Sequence, residues 1–153
     1  MTRLTVERLF SNPPLTGNLP LDMKFAPDGT YVAYLKPAED DRERLDLWRV
    51  TLEDSTHSLW IDASTLFDPT DVLSDAEKAE RERKRLFATG ITSYAFSPDG
   101  TYLLIPSGGT GYLYQIATAE LSRFTPPGMR QTDFTFSPTG RYISYVREGD
   151  LYY

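Results

Sequence analysis

The sequence has no cysteine among its 153 residues, which excludes disulfides, thiolate metal sites and a cysteine nucleophile. It has one histidine and no G-x-S-x-G segment, so a serine nucleophile on a strained elbow is not expected within it. It also lacks an apolar run of about 18 residues, and its first residues lack the apolar stretch of a signal peptide. As written, the chain is expected to be neither membrane-spanning nor exported, which indicates the cytoplasm, or the periplasm if a leader has been removed.

Positive charge is scarcer than negative charge, because 16 lysines and arginines face 22 aspartates and glutamates, for a net charge of -6. A sequence-independent grip on phosphates needs a basic surface, so nucleic acid is not an expected partner. The acidic residues Asp68, Asp71 and Asp75 are spaced without the glycine turn of a calcium loop. No metal and no other cofactor is therefore expected.

Aromatic residues are abundant, and they favour β-structure. They make up 13% of the chain, with ten tyrosines and eight phenylalanines, and such residues are enriched in strands. A length of 153 residues with an apolar fraction of 40% is sufficient for one domain with its own core. The composition thus predicts a globular unit that is mostly sheet.

Three segments of the sequence align without gaps and form a repeat. They are MKFAPDGTYVAYLKP (residues 23–37), YAFSPDGTYLLIPSG (94–108) and FTFSPTGRYISYVRE (134–148). In each segment, proline ends a strand where no ladder N–H is needed, and glycine supplies the positive φ of a tight turn. Each segment is predicted to be a β-hairpin, and Thr139 in place of aspartate weakens the third turn only slightly.

The spacing of the repeat indicates β-propeller blades. Phe96 and Phe136 are 40 positions apart, a period typical of blades with four short strands. The intervening sequence alternates as the outer strands of such blades should. These outer strands are predicted at residues 45–52, 57–62, 111–117 and 120–125. The predicted fold class is all-β, with residues 1–153 forming the N-terminal part of a propeller, about two to three blades.

The interval between the first two repeats is too long for one blade. Phe25 and Phe96 are 71 positions apart, which exceeds the 40-residue period by 31 residues. The excess contains SDAEKAERERKRLF (residues 74–87), in which nine of fourteen residues are charged and none is glycine, proline or β-branched. Its first residues form a capping box, and basic residues crowd its predicted last turn. We expect a charged α-helical insertion at about residues 64–88.

The basic residues of this predicted helix have two alternative roles. The segment has few apolar residues with which to anchor itself on a core, so one role is that of a solvated surface arm. In the other, its arginines face a pocket and bind an anionic or carbonyl group of a ligand. Arg81 and Arg85 are one helical turn apart on the same face and are the natural pair for that role.

The order of these features resembles the N-terminal propeller region of the dipeptidyl peptidase IV family of prolyl oligopeptidase-type serine peptidases. The match rests on LSDAEKAERERKRLFATGITSYAFSPDG (residues 73–100), preceded by LDLWRV and followed by GYLYQIA. In that family the helix reaches towards the active-site cavity, and an arginine near it helps to hold the substrate peptide. The resemblance adds Arg83 to Arg81 and Arg85 as a substrate-binding candidate and does not decide among the three.

The resemblance also implies what the full-length protein does. It implies removal of N-terminal Xaa-Pro and Xaa-Ala dipeptides, with the propeller restricting entry to unstructured peptides. The catalytic serine, aspartate and histidine would lie on an α/β-hydrolase domain outside this chain, so no catalytic residue is expected here. The expected partners are peptides with a free N-terminus, that hydrolase domain and a second copy in a homodimer, with no nucleic acid and no membrane.

The alternative function is that of a non-catalytic propeller, which binds a protein or peptide partner as TolB-like and WD40-like repeats do. The remaining motifs are interpreted as structural. His57 is expected to be a surface or packing residue, and Trp48 and Trp60 are expected to pack within a blade. GGTG (residues 108–111) is expected to be a turn and DDRER (40–44) a solvated loop.

Overall fold

Antiparallel strands dominate the chain. A computed structural model describes residues 4–10, 19–66, 88–126 and 130–153. A short helix, α1 (Val6–Phe10), precedes the strands, and the Thr5 hydroxyl caps it by accepting a hydrogen bond from the Arg8 N–H at 3.2 Å. Across the described ranges, the structure contains no helix with the length and apolar character that crossing a bilayer would require.

The first sheet is an antiparallel meander with one short strand added. Its four main strands follow the order of the sequence: β1 (Leu21–Phe25), β2 (Tyr31–Pro37), β3 (Arg44–Thr51) and β4 (His57–Ile61). A two-residue strand, β5 (Thr89–Gly90), pairs in parallel with the first two residues of β3. Because β2 occupies the other edge of β3, β5 lies on the edge that β4 also uses.

Two further sheets repeat this meander. The second contains β6 (Ala95–Phe96), β7 (Tyr102–Ser107), β8 (Thr110–Gln115) and β9 (Glu120–Arg123). The third contains β10 (Thr132–Phe136), β11 (Ile143–Arg147) and β12 (Asp150–Tyr152). The outer strands predicted from alternation are therefore confirmed as β3, β4, β8 and β9, within one or two residues at their ends.

The three predicted hairpins are confirmed, and they share one geometry. In the first, Gly29 has a φ of +71° and its N–H donates to the Ala26 carbonyl at 2.9 Å. The corresponding glycines of the second and third hairpins have φ values of +73° and +71° and the same 2.9 Å bond. The third turn keeps this geometry although Thr139 stands where the others have aspartate, because the glycine and the backbone bond are retained.

Successive hairpins also pack against one another in the same way. A Cβ atom placed on Gly100 would lie 3.6 Å from Pro27 of the preceding hairpin, and one placed on Gly140 would lie 3.2 Å from Pro98. One constant relation between neighbouring antiparallel meanders is the arrangement of propeller blades. The predicted fold class is confirmed as all-β propeller blades, and we call the three sheets blades 1, 2 and 3. The predicted helical insertion falls almost entirely outside the described residues.

The core lies between blades 1 and 2. Leu35 and Leu47 of blade 1 and Leu103 and Ile105 of blade 2 are each at most 1% exposed and belong to one apolar cluster. Tyr94, which precedes β6, joins this cluster, and its hydroxyl lies 2.7 Å from the Ala33 carbonyl and 2.8 Å from the Asp22 carbonyl of blade 1. The two blades are thus joined by both apolar packing and a buried hydroxyl.

Replacing Tyr94 with phenylalanine is expected to lower the free energy of unfolding by about 1 to 2 kcal/mol at pH 7, because carbonyl acceptors lose their donor. Burial, and secondarily the charge of Asp22, raise the pKa of Tyr94 above its ordinary value of 10.0. The hydroxyl's contribution is therefore complete below pH 10 and is lost as the pH rises through the raised pKa, since only the unfolded chain then ionises readily. Urea unfolding of the unaltered protein and of Tyr94→Phe, at pH 7 and above pH 10, measures the difference between their free energies of unfolding. A difference that is equal at both pH values would contradict the prediction.

Candidate functional site

The predicted substrate-binding residues Arg81, Arg83 and Arg85 lie outside the described residues, as do Asp68, Asp71 and Asp75. Their roles therefore stay predictions. The structure does describe the residues on both sides of segment 67–87, and these flanking residues contact blade 1.

On the N-terminal side, a single 3₁₀ turn (Ala63–Thr65) precedes the segment. Asp62 caps it by accepting a hydrogen bond from the Ser64 N–H at 2.8 Å, and the hydrogen bonds from Ser64 lower the pKa of Asp62. The buried Asp46 of β3 accepts a second bond from the Ala63 N–H at 3.0 Å. Burial nevertheless raises the pKa of Asp46, because desolvation outweighs this hydrogen bond and the nearby positive charge.

On the C-terminal side, strand β5 returns the chain to the same part of β3. The Thr89 N–H donates to the Glu43 carbonyl, and the Ile91 N–H donates to the Leu45 carbonyl at 2.9 Å. Gly90, between them, fits so closely that a Cβ on it would lie 2.6 Å from the Leu45 carbonyl oxygen and 2.9 Å from Ala63 Cβ. The residues before and after segment 67–87 therefore meet at one point, which we call the arm base (residues 44–46, 62–63 and 89–91).

An arginine of blade 1 forms ion pairs with three aspartates at or next to the arm base. Arg44 lies 2.7 Å from a carboxylate oxygen of Asp40, 3.4 Å from Asp46 and 3.9 Å from Asp62. Its hydrogen bond lowers the pKa of Asp40. The expectation that residues 40–44 form only a solvated loop was therefore incomplete, because Arg44 begins β3 and its side chain is 20% exposed.

The other residues singled out from the sequence contact neighbouring side chains or form a turn. His57 is exposed on β4, and its Nδ1 lies 2.8 Å from the Tyr34 hydroxyl. Trp60 packs edge-on against Tyr31, with ring centroids 5.3 Å apart. In the GGTG segment, Gly108 and Gly109 form the turn between β7 and β8, and Thr110 and Gly111 already belong to β8. Over the described ranges, no three histidine, aspartate or glutamate side chains come together as metal ligands would.

The repeated meanders and their stacked hairpins define the chain as part of a β-propeller. Residues 97–153 match the family model described as the dipeptidyl peptidase IV (DPP IV) N-terminal region. The family resemblance is thus confirmed over the second and third blades, and of residues 73–100, from which it was argued, only residues 97–100 lie within the match. The arm base precedes the matched residues and belongs to blade 1.

Solved structures are similar to the chain at low sequence identity. The tricorn protease has a TM-score of 0.51 and 10% identity over 90% of this chain and 11% of its own. An auxiliary nutrient binding protein from Bacteroides thetaiotaomicron VPI-5482 has a TM-score of 0.49 and 12% identity, over 84% of this chain and 26% of its own. The β-propeller domain of the Trilobed protease from Pyrococcus furiosus has a TM-score of 0.46 and 15% identity, over 87% of this chain and 42% of its own. The chain spans 11% of the length of the tricorn protease, and this likeness concerns the fold alone.

Proposed function

We propose that the chain is the N-terminal propeller portion of a dipeptidyl peptidase IV-like serine exopeptidase that removes N-terminal Xaa-Pro and Xaa-Ala dipeptides. The observation that carries the proposal is the family match over residues 97–153, which lies on observed propeller blades. In this proposal an α/β-hydrolase domain of the whole protein performs the chemistry. The propeller limits entry to unstructured peptides, because a channel between blades is too narrow for a folded chain.

The proposed role of segment 67–87 is that of an arm that supplies a substrate-binding arginine. The arm base supports this role, because hydrogen bonds bring residues that precede and follow the segment to one place beside β3. A guanidinium group binds carbonyl and carboxylate oxygens through a planar fork of donors, which suits a peptide main chain. Arg81, Arg83 and Arg85 are the candidates in the segment.

The proposal predicts that the full-length protein hydrolyses chromogenic Xaa-Pro and Xaa-Ala substrates and does not hydrolyse their N-acetylated forms. Each arginine of the segment is then replaced separately: Arg81→Ala, Arg83→Ala and Arg85→Ala. The variant that removes the substrate-binding guanidinium is expected to raise KM about tenfold or more, since a charge-assisted hydrogen bond is lost. Steady-state kinetics of the unaltered protein and of the three variants measure the KM values.

Lys84→Ala is the matched control, because it removes one positive charge from the same segment without removing a guanidinium. It is expected to leave KM within about twofold of the unaltered enzyme. Hydrolysis with KM unchanged in all three arginine variants would reject the arm and keep the peptidase. Absence of hydrolysis would reject the peptidase and favour the partner-binding propeller.

A further inference from the structure

A polar cleft of about 370 Å³ lies between blades 2 and 3, and its first lining residue, Thr92, directly follows Ile91 of the arm base. Its walls are residues 92–93 ahead of β6, residues 106–109 at the β7–β8 turn and residues 131–134 at the start of β10. Polar residues make up much of its lining, among them Gln131 and Asp133, and Pro106 and Phe134 add apolar surface. A few polar groups beside an apolar wall are the usual composition of a binding cleft.

Part of the main chain along this cleft lies outside regular strand pairing. Thr92 and Ser93 are exposed and precede the strand pairing of β6, which begins at Ala95. Across the cleft, the pairing of β10 with β11 is interrupted by a bulge between Thr132 and Thr135. Backbone groups in such positions can hydrogen-bond to an added extended segment.

The strained residue of this bulge carries the charge of the cleft. Asp133 has a φ of +56°, in the left-handed region that few residues other than glycine adopt. Its carboxylate accepts a hydrogen bond from the Thr132 hydroxyl at 3.1 Å, and within the described ranges no cationic side chain pairs with it. The carboxylate is thus exposed and free to receive a positive group.

Beside Asp133 lies a buried amide without a hydrogen-bond partner. Gln131 is 1% exposed, and in the described part of the chain neither Oε1 nor Nε2 has a partner. Its backbone is fixed, because its N–H donates to the Gly109 carbonyl at 2.8 Å. A buried amide left unpaired is unfavourable, so a ligand that supplies both a donor and an acceptor would be favoured here.

We propose that this cleft binds an extended peptide segment that carries a basic side chain. The peptide's main chain pairs with the open backbone of residues 92–93 and 132–133. On binding, the buried Gln131 side chain rotates towards the cleft and pairs with one amide group of the peptide, and the peptide's ammonium group pairs with Asp133. The site goes beyond the proposed function and does not require the protein to be a peptidase.

Isothermal titration of the protein with acetyl-Ala-Val-Lys-Val-Ala-amide tests the proposal. The same peptide with norleucine in place of lysine is expected to bind about fivefold more weakly, because it lacks the charge-assisted contact. Ala-Val-norleucine-Val-Ala-amide with a free N-terminus distinguishes a terminal ammonium from a side-chain ammonium. Equal affinity for the two lysine-free peptides supports the side-chain assignment, and tighter binding of the free N-terminus overturns it.

Two variants locate the contacts. Asp133→Asn, which keeps a residue that tolerates positive φ, is expected to weaken binding of the lysine peptide about fivefold. Gln131→Met, of similar length, is expected to weaken binding of all the peptides about fivefold, and its melting temperature should not fall because an unpaired amide is removed. The matched control is Asp22→Asn, the same change at a residue with a φ of +47° in blade 1, outside the cleft.

The proposal is overturned if no peptide binds at millimolar concentration. It is also overturned if Asp133→Asn weakens binding no more than Asp22→Asn does. An unchanged affinity of a folded Gln131→Met variant would remove the amide from the site and reject the proposed pairing. Binding is measured directly, so these outcomes are separate from any loss of dipeptidase activity.

Discussion

Replacing Gly90 with alanine is expected to lower the free energy of unfolding by about 3 to 5 kcal/mol, because two separate costs combine. Gly90 has a φ of +73°, which an L side chain adopts only under strain. The new methyl group would also lie 2.6 Å from the Leu45 carbonyl oxygen and 2.9 Å from Ala63 Cβ. Backbone on one side and a buried side chain on the other cannot both move aside without disturbing β3.

Urea unfolding followed by circular dichroism measures this change, with Gly29→Ala as the control. Gly29 has nearly the same φ, +71°, but a Cβ there has nothing within 4 Å. The control therefore isolates the backbone cost and is expected to lose only about 1 kcal/mol. If both variants lost the same stability, the close packing at the arm base would be irrelevant.

Replacing Leu47 with alanine is expected to lower the free energy of unfolding by about 3 to 4 kcal/mol, because a cavity opens in the core between blades 1 and 2. Leu47 is 0% exposed and lies on β3 opposite Leu35 on one side and Ile61 on the other. All three belong to the apolar cluster, and they are held in paired strands that restrict collapse into the space.

Leu59→Ala on the neighbouring strand β4 is the control for this variant. Leu59 is 46% exposed, so the same deletion is expected to cost less than about 1 kcal/mol. Chemical denaturation of the two variants in parallel compares them. A loss in Leu47→Ala as small as that in Leu59→Ala would show that blades 1 and 2 do not share the core described.

The hairpins were predictable from sequence because their cause is local. Each turn needs a proline that ends a strand and a glycine with positive φ, and these occur at fixed offsets in all three repeats. The blade period followed from the same residues, since a meander of four short strands occupies a fixed length of chain. The outer strands could be predicted because apolar and polar residues alternate along them and turn residues separate them.

The arm base could not be predicted, because its contacts join residues far apart in sequence. Strand β5 has only two residues, too few to produce a periodic pattern, and it exists because β3 has an unpaired edge beyond the end of β4. One feature of the sequence could have indicated that Asp46 is buried, because it is an aspartate within an otherwise apolar alternating strand. Helix α1 was also missed, since five residues carry little periodicity.

The cleft between blades 2 and 3 could not be predicted from the sequence either. Gln131 and Asp133 look like ordinary polar residues before a strand, and nothing near them predicts an unpaired amide or a positive φ. The Gln131 N–H bonds to the Gly109 carbonyl in the β7–β8 turn of the preceding blade, and Asp133 has its positive φ at the bulge of β10. Exposure and pairing of a polar group depend on which other blade lies beside it.

The sequence by itself determined the class of fold, the three hairpins and the resemblance to a peptidase propeller, because turn chemistry and alternation act within a few neighbouring residues. Only the tertiary structure decided where the residues flanking segment 67–87 meet and which polar residues surround the cleft. Those arrangements depend on how one blade packs on the next, and packing places residues together that no local pattern relates.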